Sequence, residues 1–179
     1  MANKTLSFNI SSIINSMSID APTKRAYLSI VSDRDIKRAI ATDIRDRIVE
    51  RTQSGIDKDS DKFVKYSASY KKSLSFRVYG KSNKVDMTLT GAMLSSVSVV
   101  GIDSTTIKIG FSDNQQFQKA SGHIDGTGAN NALPIRDFWG LPLEDVQDII
   151  KKAIKESNQS GLIEALSQVP SEDVGVNNG

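Results

Sequence analysis

Cysteine is absent from the 179 residues, and histidine occurs once, as His123. The first absence excludes a disulfide framework, thiolate zinc sites and a cysteine nucleophile, and it fits a reducing compartment. The second excludes any site that needs two imidazoles. It leaves His123 as the one candidate for histidine acid–base chemistry. Aromatic residues are scarce at 6%, and apolar residues reach only 38%. So lean a composition fits flexible ends, or a fold that completes its burial against partners. A net charge of +2 is too small for a general polyanion binder. No run approaches the roughly 18–20 apolar residues of a membrane span, so no membrane partner is expected. The N-terminal stretch has one Lys and an apolar run broken by Asn9, Ser11, Ser12 and Asn15, which is not a signal-peptide pattern. The chain is expected to be made in the cytosol.

What is present is mostly helical and strand periodicity. Leu6, Phe8 and Ile10 alternate with polar residues, predicting a short strand. Residues 11–31 are ambiguous, with a break at Ala21-Pro22. The clearest helix runs over 33–52, where Ile36, Ile40, Ile44 and Ile48 repeat every four residues and Ala39 joins them. Ser32 followed by Asp35 resembles a capping box at its start. Residues 62–84 predict irregular structure with one short strand at 75–79. Thr90 to Leu94 opens a short helix, and a hairpin follows, with Val97 and Val99 facing Ile107, Ile109 and Phe111 across the turn at 101–104. A helix at 114–122 turns Phe117 inward. Residues 126–134 read as a loop and 135–141 as extended. A second strong helix spans 142–156, with Pro142 in its first turn, Glu144 and Asp145 near its positive end and Lys151, Lys152 and Lys155 near its negative end. A further short helix is expected at 161–169, and 170–179 reads as an acidic tail.

Four constellations invite chemistry. Ser121, His123 and Asp125 lie together, but triad members converge from distant segments and no G-x-S-x-G elbow exists. Asp57, Asp59 and Asp61 match the first ligands of a calcium loop, which then fails at Lys62 and Ala68. Gly126-Thr127-Gly128 is neither a dinucleotide fingerprint nor a P-loop. The stretch 62–84 holds seven basic residues and no acidic one, interleaved with Phe63, Tyr66, Tyr70, Phe76 and Tyr79. It suits, in this order, a basic solvated loop docked by its aromatics, a protein interface facing an acidic neighbour, or a nucleic-acid contact. Near the C-terminal helix, Arg136-Asp137-Phe138-Trp139 reads as aromatic anchors with an orienting Arg–Asp pair. No catalytic, cofactor or metal residues are assigned.

The order of these segments is more specific than any one of them. A helix ends near Arg51-Thr52, and Gly55-Ile56-Asp57 leads to Phe63, Tyr66-Ser67 and Tyr70. Next come Thr90-Gly91-Ala92-Met93-Leu94-Ser95, Ile109-Gly110-Phe111, His123-x-x-Gly126 and Pro134-Ile135-Arg136-Asp137-Phe138-Trp139-Gly140-Leu141. This series, over about residues 33–155, resembles the phage virion-morphogenesis or tail-completion family, the Mu-like neck and tail proteins. It departs from that pattern in three places: Ser60 replaces a frequent Gly, Lys65 a frequent Pro and Trp139 the usual Leu.

The resemblance implies an α+β fold, with a long amphipathic helix and a C-terminal helix packed on a small antiparallel sheet, and loops that reach neighbouring subunits. It divides the chain into an N-terminal extension (1–31), the α+β domain (32–157) and a short helix with an acidic tail (158–179). It implies a structural virion protein that assembles in the host cytoplasm into a homo-oligomeric, often hexameric, ring. Such a ring sits at the head-proximal end of the tail or in the neck, against tail tube, sheath or connector proteins, with genomic DNA passing without sequence readout. Neither catalysis nor a cofactor is implied. The expected interface anchors are Phe63, Tyr66, Tyr70, Lys71, Lys72, Arg136, Phe138 and Trp139. A nucleic-acid-binding module using 62–84 is the alternative.

Overall fold

The computed structural model of the chain describes residues 5–88, 90–127 and 133–157. The fold is α+β. Strand β1 (Leu6–Asn9) runs into helices α1 (Ile10–Ser16), α2 (Ala21–Ile30) and α3 (Arg34–Gln53). Two short helices, α4 (Ala68–Lys71) and α5 (Leu74–Val78), precede α6 (Ala92–Ser95). The hairpin β2 (Val97–Ile102) and β3 (Thr106–Phe111) leads to α7 (Asn114–Asp125) and α8 (Leu143–Glu156).

The three strands form one antiparallel sheet in the order β1-β3-β2. Alternation decides its faces. Leu6 and Phe8 stand opposite Ile109 and Ile107, while Val97 and Val99 stand opposite Phe111 and Ile109. These side chains share one apolar face, and α3 packs on β2 and β3. Ile40, Ile44 and Ile48 of α3 are fully buried there. The alanine that completes their stripe is Ala41, not Ala39, which is exposed. At 100° per residue, Ala41 lies three before Ile44 and seven before Ile48, so it falls on the buried side.

The cap of α3 also differs from the expected box. The Asp33 carboxylate accepts from the N–H groups of Asp35 and Ile36 at 2.7 and 3.1 Å. Ser32 instead donates its hydroxyl to Ser29 O at 2.6 Å, closing the end of α2. Pro22 opens α2 behind the cap residue Asp20, so the break at 21–22 is a helix start. Residues 5–31 are not an appendage to the main core. Strand β1 pairs with β3, and Ile10, Ile14, Met17, Ile30 and Val31 lie in the same apolar cluster as α3 and α8.

Helix α8 begins one residue later than expected, with Pro142 as its cap. Its buried stripe is the expected one: Val146, Ile149, Ile150, Ala153 and Ile154. It packs on α3 and α1 rather than lying chiefly on the sheet. The apolar face of the sheet is already covered by α3, so α8 covers α3. Lys152 reaches Asp43 at 3.0 Å while Asp145 lies near Arg51, so the two helices run antiparallel. Helix α7 turns Phe117 inward against Phe111, ring centroids 5.9 Å apart.

The largest departure is at 62–84. Residues 74–78 are α5, not a strand. The Ser73 hydroxyl accepts from Phe76 N–H, and Ser67 does the same for Tyr70 in α4. The alternation of Leu74, Phe76 and Val78 has no neighbouring strand to pair with. The expected helix at 161–169 and the acidic tail lie outside the described residues.

Candidate interaction surface

The segment 135–141 is a strap tied to four parts of the molecule. Arg136 N–H donates to His123 O at 2.8 Å, fixing the strap to the end of α7. Lys58 N–H donates to Asp137 O at 2.9 Å. Arg51, on the last turn of α3, donates through Nη2 to Phe138 O and Gly140 O at 2.8 and 2.7 Å. The Arg136 guanidinium donates from Nε and Nη2 to Val64 O at 3.2 and 3.1 Å and lies 5.3 Å from the centre of the Tyr66 ring. One backbone run thus gathers α3, α7, the 57–61 turn and the start of 62–84.

The side chains of the strap divide accordingly. Phe138 is fully buried, and Trp139 stacks on Phe111 with ring centroids 4.5 Å apart. Arg136 and Asp137 do not form a pair. Neighbours on an extended run point to opposite sides. Asp137 therefore turns to Trp139 N–H at 3.2 Å while Arg136 turns to Val64. Burial lowers the pKa of both Arg51 and Arg136; for Arg51 the carbonyls it serves compensate its desolvation.

Beneath the strap is a pocket of about 650 Å³. Lys65, Lys81 and Arg136 give it positive charge, with no carboxylate among its lining residues. Tyr66, Tyr70, Val64, Met87, Leu133 and Pro134 give it apolar walls. Tyr66, Tyr70 and Phe76 stack on one another with centroids 5.0–5.8 Å apart. Burial, with Asp86 and Tyr70 nearby, raises the Tyr66 hydroxyl to about 12. His123 also lines the pocket, and its Nδ1 is buried without a hydrogen-bond partner among the described residues. Burial first, then Arg136, lowers its pKa to about 4, so the ring is neutral at physiological pH.

The expected anchors therefore separate. Phe63, Arg136, Phe138 and Trp139 are buried within the chain, so they are core and strap residues rather than surface anchors. Tyr66, Tyr70 and Lys71 are half-buried and Lys72 is exposed, all within 62–84. An aromatic-rich run looks the same in sequence whether it packs inward or outward. Arg51 escaped sequence reading because its partners lie 87 and 89 residues away.

The other constellations are local structure. The Asp57 carboxylate accepts from the N–H groups of Asp59 and Asp61, both at 2.9 Å, closing its own turn. Among the described residues no group of three or more His, Asp or Glu could hold a metal ion. None of their helices is long and apolar enough to cross a membrane. No protein-family model, curated protein or solved structure matches the chain.

Proposed function

We propose that this chain is a structural virion protein of a tailed bacteriophage, a subunit of a ring at the head-proximal end of the tail or in the neck. The observation that carries the reading is convergence. The motifs behind the resemblance are scattered from Arg51 to Leu141, yet Arg51, Phe63, Tyr66, His123 and the strap meet in one place. Two backbone positions add support. Gly126 has a φ of 70°, and a Cβ there would come within 2.9 Å of Ile135 Cγ1 on the strap. Ser60, where the family often has Gly, has a φ of 72°, the geometry that Gly adopts without strain.

On this reading the subunit acts by assembly, with no turnover and no cofactor. A ring needs two different patches per subunit, each meeting the other on the next copy. Its expected partners are further copies of the chain, commonly six, and the tail tube, sheath or neck proteins. A second reading, a neck adaptor or stopper touching passing DNA, is favoured by the basic run 62–84. There Lys62, Lys65, Lys71, Lys72, Arg77 and Lys84 form no ion pair with any described residue.

Electron microscopy and light scattering on the purified full chain, with and without tail tubes, test the proposal. Rings that cap tubes are the expected result. A strict monomer that never joins a tail or neck complex would overturn it.

A further inference from the structure

The arm 62–84 is tied to the core by Phe63 and Tyr66, and beyond them its apolar residues are unevenly used. Tyr66, Tyr70 and Phe76 turn towards one another, whereas Val64, Leu74, Val78 and Tyr79 are 58, 71, 69 and 49% exposed. Four large apolar side chains in so short a run are thus left exposed. They are set among Lys62, Lys65, Lys71, Lys72, Arg77 and Lys84, which form no ion pair with any described residue. Among the described residues Lys81 of this run is paired, with Asp86. The natural occupant is therefore an acidic chain with apolar residues.

This molecule contains such a chain. After Lys155 the sequence has Glu156, Glu164, Glu172 and Asp173 and no Lys or Arg, and it carries Leu162, Ile163, Leu166 and Val169. The position of the end of α8, which precedes this segment, is also informative. Helix α8 is antiparallel to α3, with Lys152 beside Asp43, and it ends beyond that point towards the Arg34 end. The arm springs from the opposite end of α3, where Phe63 N–H donates to Gly55 O at 3.0 Å. Between Asp43 and Gln53, the last residue of α3, a rise of 1.5 Å per residue gives a separation of about 15 Å. The end of α8 and the root of the arm thus lie towards opposite ends of α3, as a head-to-tail contact requires.

We infer that residues 157–179 of one copy dock on the basic, apolar arm 62–84 of the next copy, linking subunits head to tail. This rests on the ring reading and specifies its contact. The apolar side chains of the incoming segment cover Val64, Leu74 and Val78, and its carboxylates face Lys65, Lys71 and Lys72. The charges set register and encounter rate, while the apolar contacts supply most of the affinity.

A charge swap in the full chain tests this. One variant carries Lys71→Glu and Lys72→Glu; the other carries Glu164→Lys and Glu172→Lys. Each alone should weaken self-association at least about tenfold in analytical ultracentrifugation at low salt, with unchanged circular dichroism. An equimolar mixture should recover wild-type association, because every contact between the two variants again pairs opposite charges. Variants that associate like wild type, or a mixture that fails to recover, would overturn the inference. So would a wild-type chain that stays monomeric with its own tail on its own arm. Arm reversal that leaves association intact but abolishes salt-sensitive DNA retention would assign the arm to nucleic acid instead. Rings that persist on tails in both variants would sink this contact and leave the ring reading standing. Tails that never carry this chain would sink the ring reading, whatever the swap shows in solution.

Discussion

The α3–sheet layer and the 62–84 arm use apolar residues in opposite ways. In the first, Ile40, Ile44, Ile48, Ile107 and Ile109 are fully buried, and each side chain has a partner in the same subunit. In the arm, no residue of α4 or α5 is buried. A helix of four or five residues cannot sustain itself by backbone hydrogen bonds alone. Serine caps and one aromatic cluster hold α4 and α5, so most of the arm's outward apolar surface adds nothing to the stability of the isolated subunit. Burial in the first region makes a fold; exposure in the second leaves apolar surface unused by it.

That contrast can be broken in the core. Ile44→Ala leaves a cavity in a site that cannot collapse, and should cost about 3–4 kcal/mol in urea unfolding. Arg51→Met should cost about 3 kcal/mol by the same measurement, because the carbonyls of Phe138 and Gly140 lose a buried charged donor. A smaller, pH-dependent effect belongs to His123. The unfolded chain protonates this ring near 6.5 and the folded chain only near 4. Protons therefore favour the unfolded state across that window, and stability should fall as pH drops through it, by roughly 1.4 kcal/mol per pH unit. His123→Gln should remove that component, as melting curves across the window would reveal. If variant and wild type lose stability in parallel, the ring is not buried as described.

The turn between the two regions gives a smaller effect of opposite sign. Ser60 sits at positive φ just before the arm, and Ser60→Gly should raise stability by up to about 1 kcal/mol in urea unfolding. The smallest effect is expected in the arm itself. Leu74→Ser with Val78→Ser should change the subunit's own stability by no more than about 0.5 kcal/mol, measured on dilute protein below the range of association. A large loss there would show that the arm's apolar residues serve the fold after all.

Much of the core could be read from local pattern. The four-residue repeat of Ile36, Ile40, Ile44 and Ile48, the alternation of the β2–β3 hairpin and the charge-graded α8 all carry their period within a few residues. Detail failed where near-equivalent residues compete. Asp33 caps α3 in place of Ser32, and Ala41 joins the stripe in place of Ala39. The strand expected at 75–79 falls on helix α5 because an isolated extended run has no neighbouring strand to bond. The candidate surface was half visible. Its composition marked 62–84, but the inward turn of Phe63, Phe138 and Trp139 depended on the rest of the molecule.

Sequence alone determined which segments are amphipathic, where charge accumulates, and that one imidazole and no thiol are available. These are properties of neighbouring residues. Tertiary structure decided that Arg51 binds the strap, that Arg136 turns to Val64 and Tyr66 rather than to Asp137, and that His123 is held neutral against the pocket. It also decided which hydrophobic residues of the arm are left without partners. Each of these depends on groups brought together from distant parts of the chain. Burial, hydrogen-bond satisfaction and pKa follow the surroundings in space, and order along the chain does not specify them.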